Sequence, residues 1–187
     1  MTEQRMCKGS IILDLVKVVK GFKDLPWSDY LQPQDLELVH GLVIPTEWYS
    51  MESYRRLGLA VFKLVAKGNA QAAAAFGRAS LESMLDSPYR FHLERKNPFE
   101  AVQKFMDLRR PLFNFSRWTV QKTGDQSLTV RVTEFGEFGP GMELFLLVLG
   151  ACLQGLIERN GGREVKVQSL EQGDPQDRAL VFDLQWS

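Results

Sequence analysis

The chain has 187 residues, of which 44% are hydrophobic and 25% are charged. This length and balance are typical of one folded domain rather than a disordered segment, so we treat residues 1–187 as a single domain. The 23 basic and 23 acidic residues cancel, which argues against the broad positive charge that non-specific nucleic-acid binding needs. Two cysteines and two histidines are too few to predict a Cys/His zinc site, so we expect no metal.

The chain shows no pattern of export or membrane insertion. Its first residues lack an apolar core, and charges interrupt the apolar run 11–19. The most apolar stretch, 142–157, is shorter than the roughly 20 residues of a membrane span, so we interpret it as a buried helix. We therefore expect a cytoplasmic protein without a membrane span, in which Cys7 and Cys152 are reduced thiols and Cys152 fills the core.

The first part of the chain carries apolar residues at helical spacing. The pattern predicts helices over Ser10–Phe22, Trp27–Leu31, Pro33–His40, a long segment that begins at 45–47 and ends before Gly68, Ala70–Leu85 and Phe99–Arg110. Thr46 and Asn69 are the expected N-caps of the long segment and of the alanine-rich helix. The small side chains of that alanine-rich helix predict a close approach by a neighbouring helix. Pro88 is expected to break the chain after it.

The last part alternates between apolar and polar residues as half-buried strands do. Strands are predicted over 115–122, 127–133, 164–170 and 179–186, with a helix over Met142–Arg159 between the two pairs. Gly124-Asp125 and Gly173-Asp174-Pro175 supply the turns, and 136–141 connects strand to helix. The order is helices, then β-β-α-β-β. It predicts an α+β fold in which an N-terminal helical layer packs on a four-stranded antiparallel sheet.

Four short motifs carry a resemblance to a known superfamily. They are Lys8-Gly9-Ser10, Trp48-Tyr49-Ser50-Met51, Phe76-Gly77-Arg78 and Gly150-Ala151-Cys152-Leu153-Gln154-Gly155. With the order of elements, they resemble the nitric-oxide-signalling and Golgi-transport ligand-binding fold. Its members include haem nitric-oxide-binding domains, vinyl-reductase-type sensors and TRAPP vesicle-tethering subunits. The chain looks most similar to an uncharacterised family found mainly in myxobacteria and related bacteria, which implies a bacterial origin.

The resemblance makes haem the first cofactor to consider. Haem-binding members need a proximal histidine late in the helical half and usually hold the propionates with a Tyr-x-Ser-x-Arg pattern. The histidines here are His40 and His92, no such pattern follows His92, and 114–117 is at best a distant echo. We therefore expect no haem and no other cofactor. The chain also lacks the several cysteines with which vinyl-reductase-type sensors hold zinc, and neither cysteine can be equated with the acylated cysteine of some tethering subunits.

The chain has no recognisable catalytic motif. It contains no phosphate-binding loop, no dinucleotide-binding glycine pattern and no Gly-x-Ser-x-Gly elbow. Glu134 and Glu137 are interpreted as exposed acids, and the basic cluster Arg109-Arg110-Pro111 as a solvated helix end. We expect no catalytic residues and no enzymatic activity.

Two functions remain. The first prediction is a non-enzymatic regulatory or scaffolding interaction module without haem, acting as a homodimer or with another protein partner. The alternative is a sensor domain that binds a small apolar ligand in a cavity between the helices and the sheet. The residues expected to line that cavity are Trp48, Tyr49, Tyr54, Phe76, Arg78, Trp118 and Cys152. Core packing explains each of these aromatic side chains equally well.

Overall fold

The structure is a computed structural model that describes residues 4–86, 90–135, 141–173 and 178–187, without the side chain of His92. The predicted break at Pro88, most of the 136–141 connector and most of the Gly173–Pro175 turn lie outside these residues. The first part contains β1 (Met6–Lys8), α1 (Gly9–Gly21), α2 (Pro33–His40), β2 (Trp48–Ser50), α3 (Met51–Leu64), α4 (Ala70–Leu85), α5 (Arg90–Leu93) and α6 (Pro98–Arg109). Short 3₁₀ turns occupy Trp27–Asp29 and Arg110–Leu112.

The last part contains β3 (Arg117–Gly124), β4 (Ser127–Thr133), α7 (Met142–Arg159), β5 (Lys166–Gln172) and β6 (Ala179–Gln185). The four strands form one sheet in the order β3-β4-β6-β5, and each neighbouring pair is antiparallel. The predicted antiparallel sheet and the β-β-α-β-β order are therefore confirmed. The alternating apolar residues of β4 share the buried face of the sheet, where Leu128, Val130 and Val132 are at most 1% exposed.

The first part is not purely helical, which corrects the predicted layer order. β1 pairs antiparallel with β2, so that Cys7 lies opposite Tyr49. The long helix consequently begins at Met51 rather than at 45–47, and its cap is Ser50, whose hydroxyl accepts a hydrogen bond from the Glu52 amide at 3.2 Å. Thr46 is not the cap. β1 and β2 are far apart in the sequence, so the helical periodicity that follows β2 does not indicate that the two strands pair.

The helices form more than one layer. α7 packs on β5 and β6, α6 packs on β3 and on α7, and α4 packs along α7. α1 packs on α3 and on α2. Five consecutive residues of α7, Leu149–Leu153, are buried, so protein covers the middle of this helix on every side. The prediction of a buried helix here is confirmed. In the described ranges, no helix is both long and apolar enough to cross a membrane.

Two predicted features of α4 are confirmed. Asn69 caps the helix, since its Oδ1 accepts hydrogen bonds from the amides of Gln71 at 2.8 Å and Ala72 at 3.3 Å. Small residues bring α4 close to α7, because Gly77 faces the backbone of Val148. This contact helps to position one wall of the site described next.

Candidate functional site

Five helices enclose a cavity of about 550 Å³, which we call the helical cavity. The α1–α3 pair lies on one side and the α4–α7 pair on the other, and α6 ends at the cavity. Most of the wall is apolar, with contributions such as Leu15, Val18, Val61, Phe76 and Val148.

The helical cavity reaches the surface near the end of α1. Phe22, which follows the last residue of that helix, is part of the wall and is 50% exposed. Small residues widen the space inside, because Gly58 of α3 and Ala73 of α4 also line it. A Cβ on Gly58 would meet only side-chain atoms, the nearest being Leu144 Cδ2 at 3.9 Å. The cavity therefore has both an opening and unfilled volume.

The predicted position of the cavity, between helices and sheet, was wrong. Among the described residues, those of the strands take no part in its wall. α7 lies between the two, since it packs on β5 and β6 and also lines the helical cavity. Apolar residues on more than one face of α7 allow it to cover the sheet and face the cavity at once.

Of the seven residues predicted to line a cavity, the structure brings three to this wall: Tyr54, Phe76 and Cys152. Burial raises the pKa of the Cys152 thiol to about 11, and the positive charge of Arg109 opposes this rise. Burial also raises the pKa of the Tyr54 hydroxyl, again against the field of Arg109. Both groups are therefore protonated at neutral pH.

The other four predicted residues lie elsewhere. Trp48 is 40% exposed, with Lys8 Nζ 3.8 Å from its ring centroid. The Tyr49 hydroxyl accepts a hydrogen bond from the Ile44 amide at 2.9 Å. Arg78 pairs with Glu158, to whose carboxylate it donates at 2.6 and 3.2 Å. Trp118 is only 3% exposed and stacks on Phe113. None of these four is in the wall of the helical cavity.

Arg109 is the site residue that the sequence analysis missed. It lines the helical cavity at the end of α6, whereas its neighbour Arg110 is 63% exposed and lies 3.8 Å from Asp107. Only Arg110 fits the predicted solvated helix end. The spacing of the sequence could have indicated that Arg109 points inward, because Phe105 and Arg109 are four residues apart and share one face of a helix. Phe105 is fully buried, so that face points inward.

The Arg109 guanidinium has no acceptor in the described part of the chain. Its Nε is buried without a hydrogen-bond partner. Its Cζ lies 5.3 Å from the ring centroid of Phe105, 5.7 Å from that of Phe113 and 5.9 Å from that of Trp118. Such cation–π contacts contribute about 0.5–2 kcal/mol each, whereas removing an ion from water costs several kcal/mol. The guanidinium is partly buried, so the rings offset only part of the cost of its lost contact with water.

Comparison by sequence gives no relative. No family model matches the chain, and no curated protein matches it significantly.

Comparison by structure finds H-NOX domains. A variant of the Fe(II) unliganded H-NOX protein from K. algicida has a TM-score of 0.65 and 12% identity, over 96% of each chain. The K. algicida protein itself has a TM-score of 0.61 and 13% identity, over 96% of this chain and 97% of that one. An oxygen-binding H-NOX domain related to soluble guanylate cyclases, in its oxygen complex, has a TM-score of 0.64 and 11% identity, over 96% and 95%.

Another neighbour concerns haem distortion in the H-NOX family, which makes haem the first cofactor to compare with the helical cavity. None of the described residues in its wall is a histidine. His40 is exposed at the end of α2. The last turn of α6 presents Arg109, which has no lone pair for iron. Cys152 and Tyr54 also line the cavity, but neither is the proximal histidine that the resemblance implies.

The motif that resembles a propionate-binding pattern also lies away from the helical cavity. Ser116 Oγ accepts a hydrogen bond from Trp118 Nε1 at 2.8 Å. The Arg117 side chain is 71% exposed and lies 3.4 Å from Glu134. Neither residue lines the cavity. The described residues therefore do not fit haem. In the same ranges, no group of three or more His, Cys, Asp or Glu side chains is arranged to hold a metal ion.

The comparisons correct the first functional prediction. A scaffolding module without haem disagrees with neighbours that are H-NOX domains, one of which binds oxygen and another of which concerns haem distortion in the H-NOX family. The alternative prediction, a domain that binds a small ligand, agrees better with these neighbours. The finer resemblance to vinyl-reductase-type sensors, TRAPP subunits and a myxobacterial family stays a prediction. At this level of identity the comparisons establish the fold alone: the chain is folded like the H-NOX domains of known structure.

Proposed function

We propose that the chain is a sensor domain that binds a small, mostly apolar molecule in the helical cavity. The observation that carries this proposal is the cavity itself, of about 550 Å³ and lined mainly by apolar side chains. Ligand sites of small molecules have volumes of about 300–1,000 Å³ and combine apolar walls with a few polar groups. The polar groups of its wall include Tyr54, Cys152 and Arg109.

The position of the cavity provides a route from binding to a change of shape. A ligand that fills it contacts the α1–α3 pair and the α4–α7 pair at the same time. A ligand favours the conformation that it binds best. The bound ligand therefore stabilises the distance between the two helix pairs at which both pairs contact it. α7 packs on the sheet, so a shift of α7 reaches β5 and β6.

The remaining expectations are proposals of the same kind. The H-NOX fold of the neighbours supports a sensor. Cys7 and Cys152 are free and buried, which supports a reducing compartment such as the cytoplasm. A homodimer or another protein partner stays a prediction, and so does the lack of enzymatic activity.

The first experiment tests occupancy directly. The full chain is purified and measured by native mass spectrometry, and its thermal unfolding is followed with neutral apolar probes, dodecanol and naphthol. We expect a copurified small molecule or a stabilised protein. At 100 times its dissociation constant a probe stabilises by about 2.7 kcal/mol, which corresponds to about 5–11 °C for a chain of this size. Haem is added in a separate sample. A Soret band typical of ligated iron would contradict the conclusion that the described residues do not fit haem.

A cavity-filling variant tests whether the ligand binds in the helical cavity. Gly58→Leu adds a side chain inside the helical cavity, and Gly21→Leu adds the same side chain at an exposed position with no atom within 4 Å of its Cβ. We expect Gly58→Leu to abolish the ligand-induced shift and Gly21→Leu to keep it. If no probe binds the wild type and nothing copurifies, or if both variants bind as well as the wild type does, the proposal is wrong.

A further inference from the structure

We propose that Arg109 binds the carboxylate of the ligand, so that the helical cavity takes apolar molecules with one carboxylic acid group. This assignment rests on the proposed function, since it names the ligand class for the same cavity.

The first observation is the unpaired state of the guanidinium. Arginine stays charged at any ordinary pH and offers five N–H donors. The Nε of Arg109 is buried without a partner, and the group has no hydrogen bond or ion pair with the residues that the structure describes. A planar guanidinium in this state matches the two oxygens of a carboxylate, which accept two parallel hydrogen bonds.

The second observation is that the other charges in the wall are already neutralised. Asp14 and Lys17 pair with each other at 3.1 Å. Arg55 pairs with Glu52 at 2.8 Å. All of these except Glu52 line the helical cavity, as Arg109 does. Among the wall residues that the structure describes, one positive charge therefore remains without a described partner of opposite sign.

This single charge also selects among anions. A monocarboxylate neutralises one guanidinium, whereas a phosphate group would bring close to two negative charges into a wall with one unpaired cation. Burying the excess negative charge among apolar side chains is costly. The rest of the ligand contacts apolar residues such as Phe76 and Val61.

Tyr54 is placed to assist Arg109. It lines the same cavity, and the charge of Arg109 acts on its hydroxyl. Because the hydroxyl is protonated, it can donate a hydrogen bond to a carboxylate next to Arg109. The two side chains come from α3 and α6, so a bound carboxylate would connect these helices.

The experiment compares acids with alcohols of the same skeleton. Dodecanoate is measured against dodecanol, and naphthoate against naphthol, by isothermal titration calorimetry on the full chain at neutral pH. We expect the acid of the pair that fits best to bind about 10- to 100-fold more tightly than its alcohol, as for a hydrogen bond with a charged group. Arg109→Met should remove this preference by weakening the acid alone, and Arg109→Lys should retain part of it.

Arg110→Met is the matched control, because it removes a positive charge from the same helix end outside the helical cavity. It should leave both affinities unchanged. Equal affinities of acid and alcohol in the wild type, or an acid preference that survives in Arg109→Met, would overturn the role of Arg109 while the cavity function stands. If no probe of either pair binds and nothing copurifies, the proposed function itself fails. Should Arg109→Met not fold, the wild-type pairs and Arg109→Lys decide the matter.

Discussion

Gly77 lies in the contact between α4 and α7, and an alanine at this position should force the two helices apart. Its Cβ would overlap the carbonyl oxygen of Val148 and lie 3.1 Å from the carbonyl carbon and 3.2 Å from the Cα of that residue. Backbone atoms cannot rotate away as the end of a side chain can. Overpacking costs about 1–3 kcal/mol, and an overlap with backbone atoms lies in the upper part of that range, at about 2–3 kcal/mol; the better helix propensity of alanine offsets about 1 kcal/mol of this. We expect Gly77→Ala to lose about 1–2 kcal/mol of unfolding free energy.

Gly58 provides the matched control on the opposite side of the helical cavity. A Cβ there would lie 3.9 Å from Leu144 Cδ2 and 4.0 Å from Leu15 Cδ1, which are ordinary contacts. Gly58→Ala should therefore stabilise the protein by about 0.5–1 kcal/mol through helix propensity.

Thermal unfolding followed by circular dichroism measures both variants. One kcal/mol corresponds to about 2–4 °C for a chain of this size, so we expect Tm to fall by about 2–8 °C in Gly77→Ala and to rise by about 1–4 °C in Gly58→Ala. Gly77 and Val148 both line the helical cavity, so Gly77→Ala should also weaken the binding of naphthol. A Gly77→Ala protein that unfolds at or above the wild-type temperature would refute the close backbone contact.

Three further predictions concern buried polar groups. The fully buried Asp35 carboxylate accepts hydrogen bonds from Arg56 at 2.6 and 2.9 Å, so Asp35→Asn should cost about 3–5 kcal/mol in urea unfolding. Burial tends to raise the pKa of Asp35, but hydrogen bonds from Arg56 and other neighbours lower it overall. The ionised Asp35 therefore stabilises the folded protein above the unfolded pKa of about 3.9, and this stabilisation is lost as the pH falls through the lower folded pKa. An acid titration in which wild type and Asp35→Asn lose stability in parallel would contradict this. Burial raises the pKa of Cys7 to about 12 and that of Cys152 to about 11, so neither should react with iodoacetamide at neutral pH before unfolding, and rapid labelling seen by mass spectrometry would disprove it. The Asn160 carboxamide makes hydrogen bonds with backbone groups of the 93–96 segment and α7, so Asn160→Ala should cost about 2–4 kcal/mol in urea unfolding; an unchanged midpoint would count against these bonds.

Elements that depend on neighbouring residues were predicted well from the sequence. The predicted bounds of Ala70–Leu85 and Met142–Arg159 coincide with α4 and α7, and Asn69 is the cap of the first. Caps and helical stripes act within a few residues, so they can be recognised locally. β2 was missed because Trp48–Ser50 obtains its hydrogen bonds from Met6–Lys8, far away in the chain.

The sequence alone determined the α+β class, the antiparallel strand pairs and three residues that reach the cavity wall, Tyr54, Phe76 and Cys152. The tertiary structure decided where the cavity lies and that Arg109 faces it without a partner in the ranges that the structure describes. The reason is physical. Periodicity shows which face of a helix is buried, but an unfilled volume depends on the distance between helices, which is set by packing between segments remote in sequence. Whether a buried charge has a partner depends on the same packing.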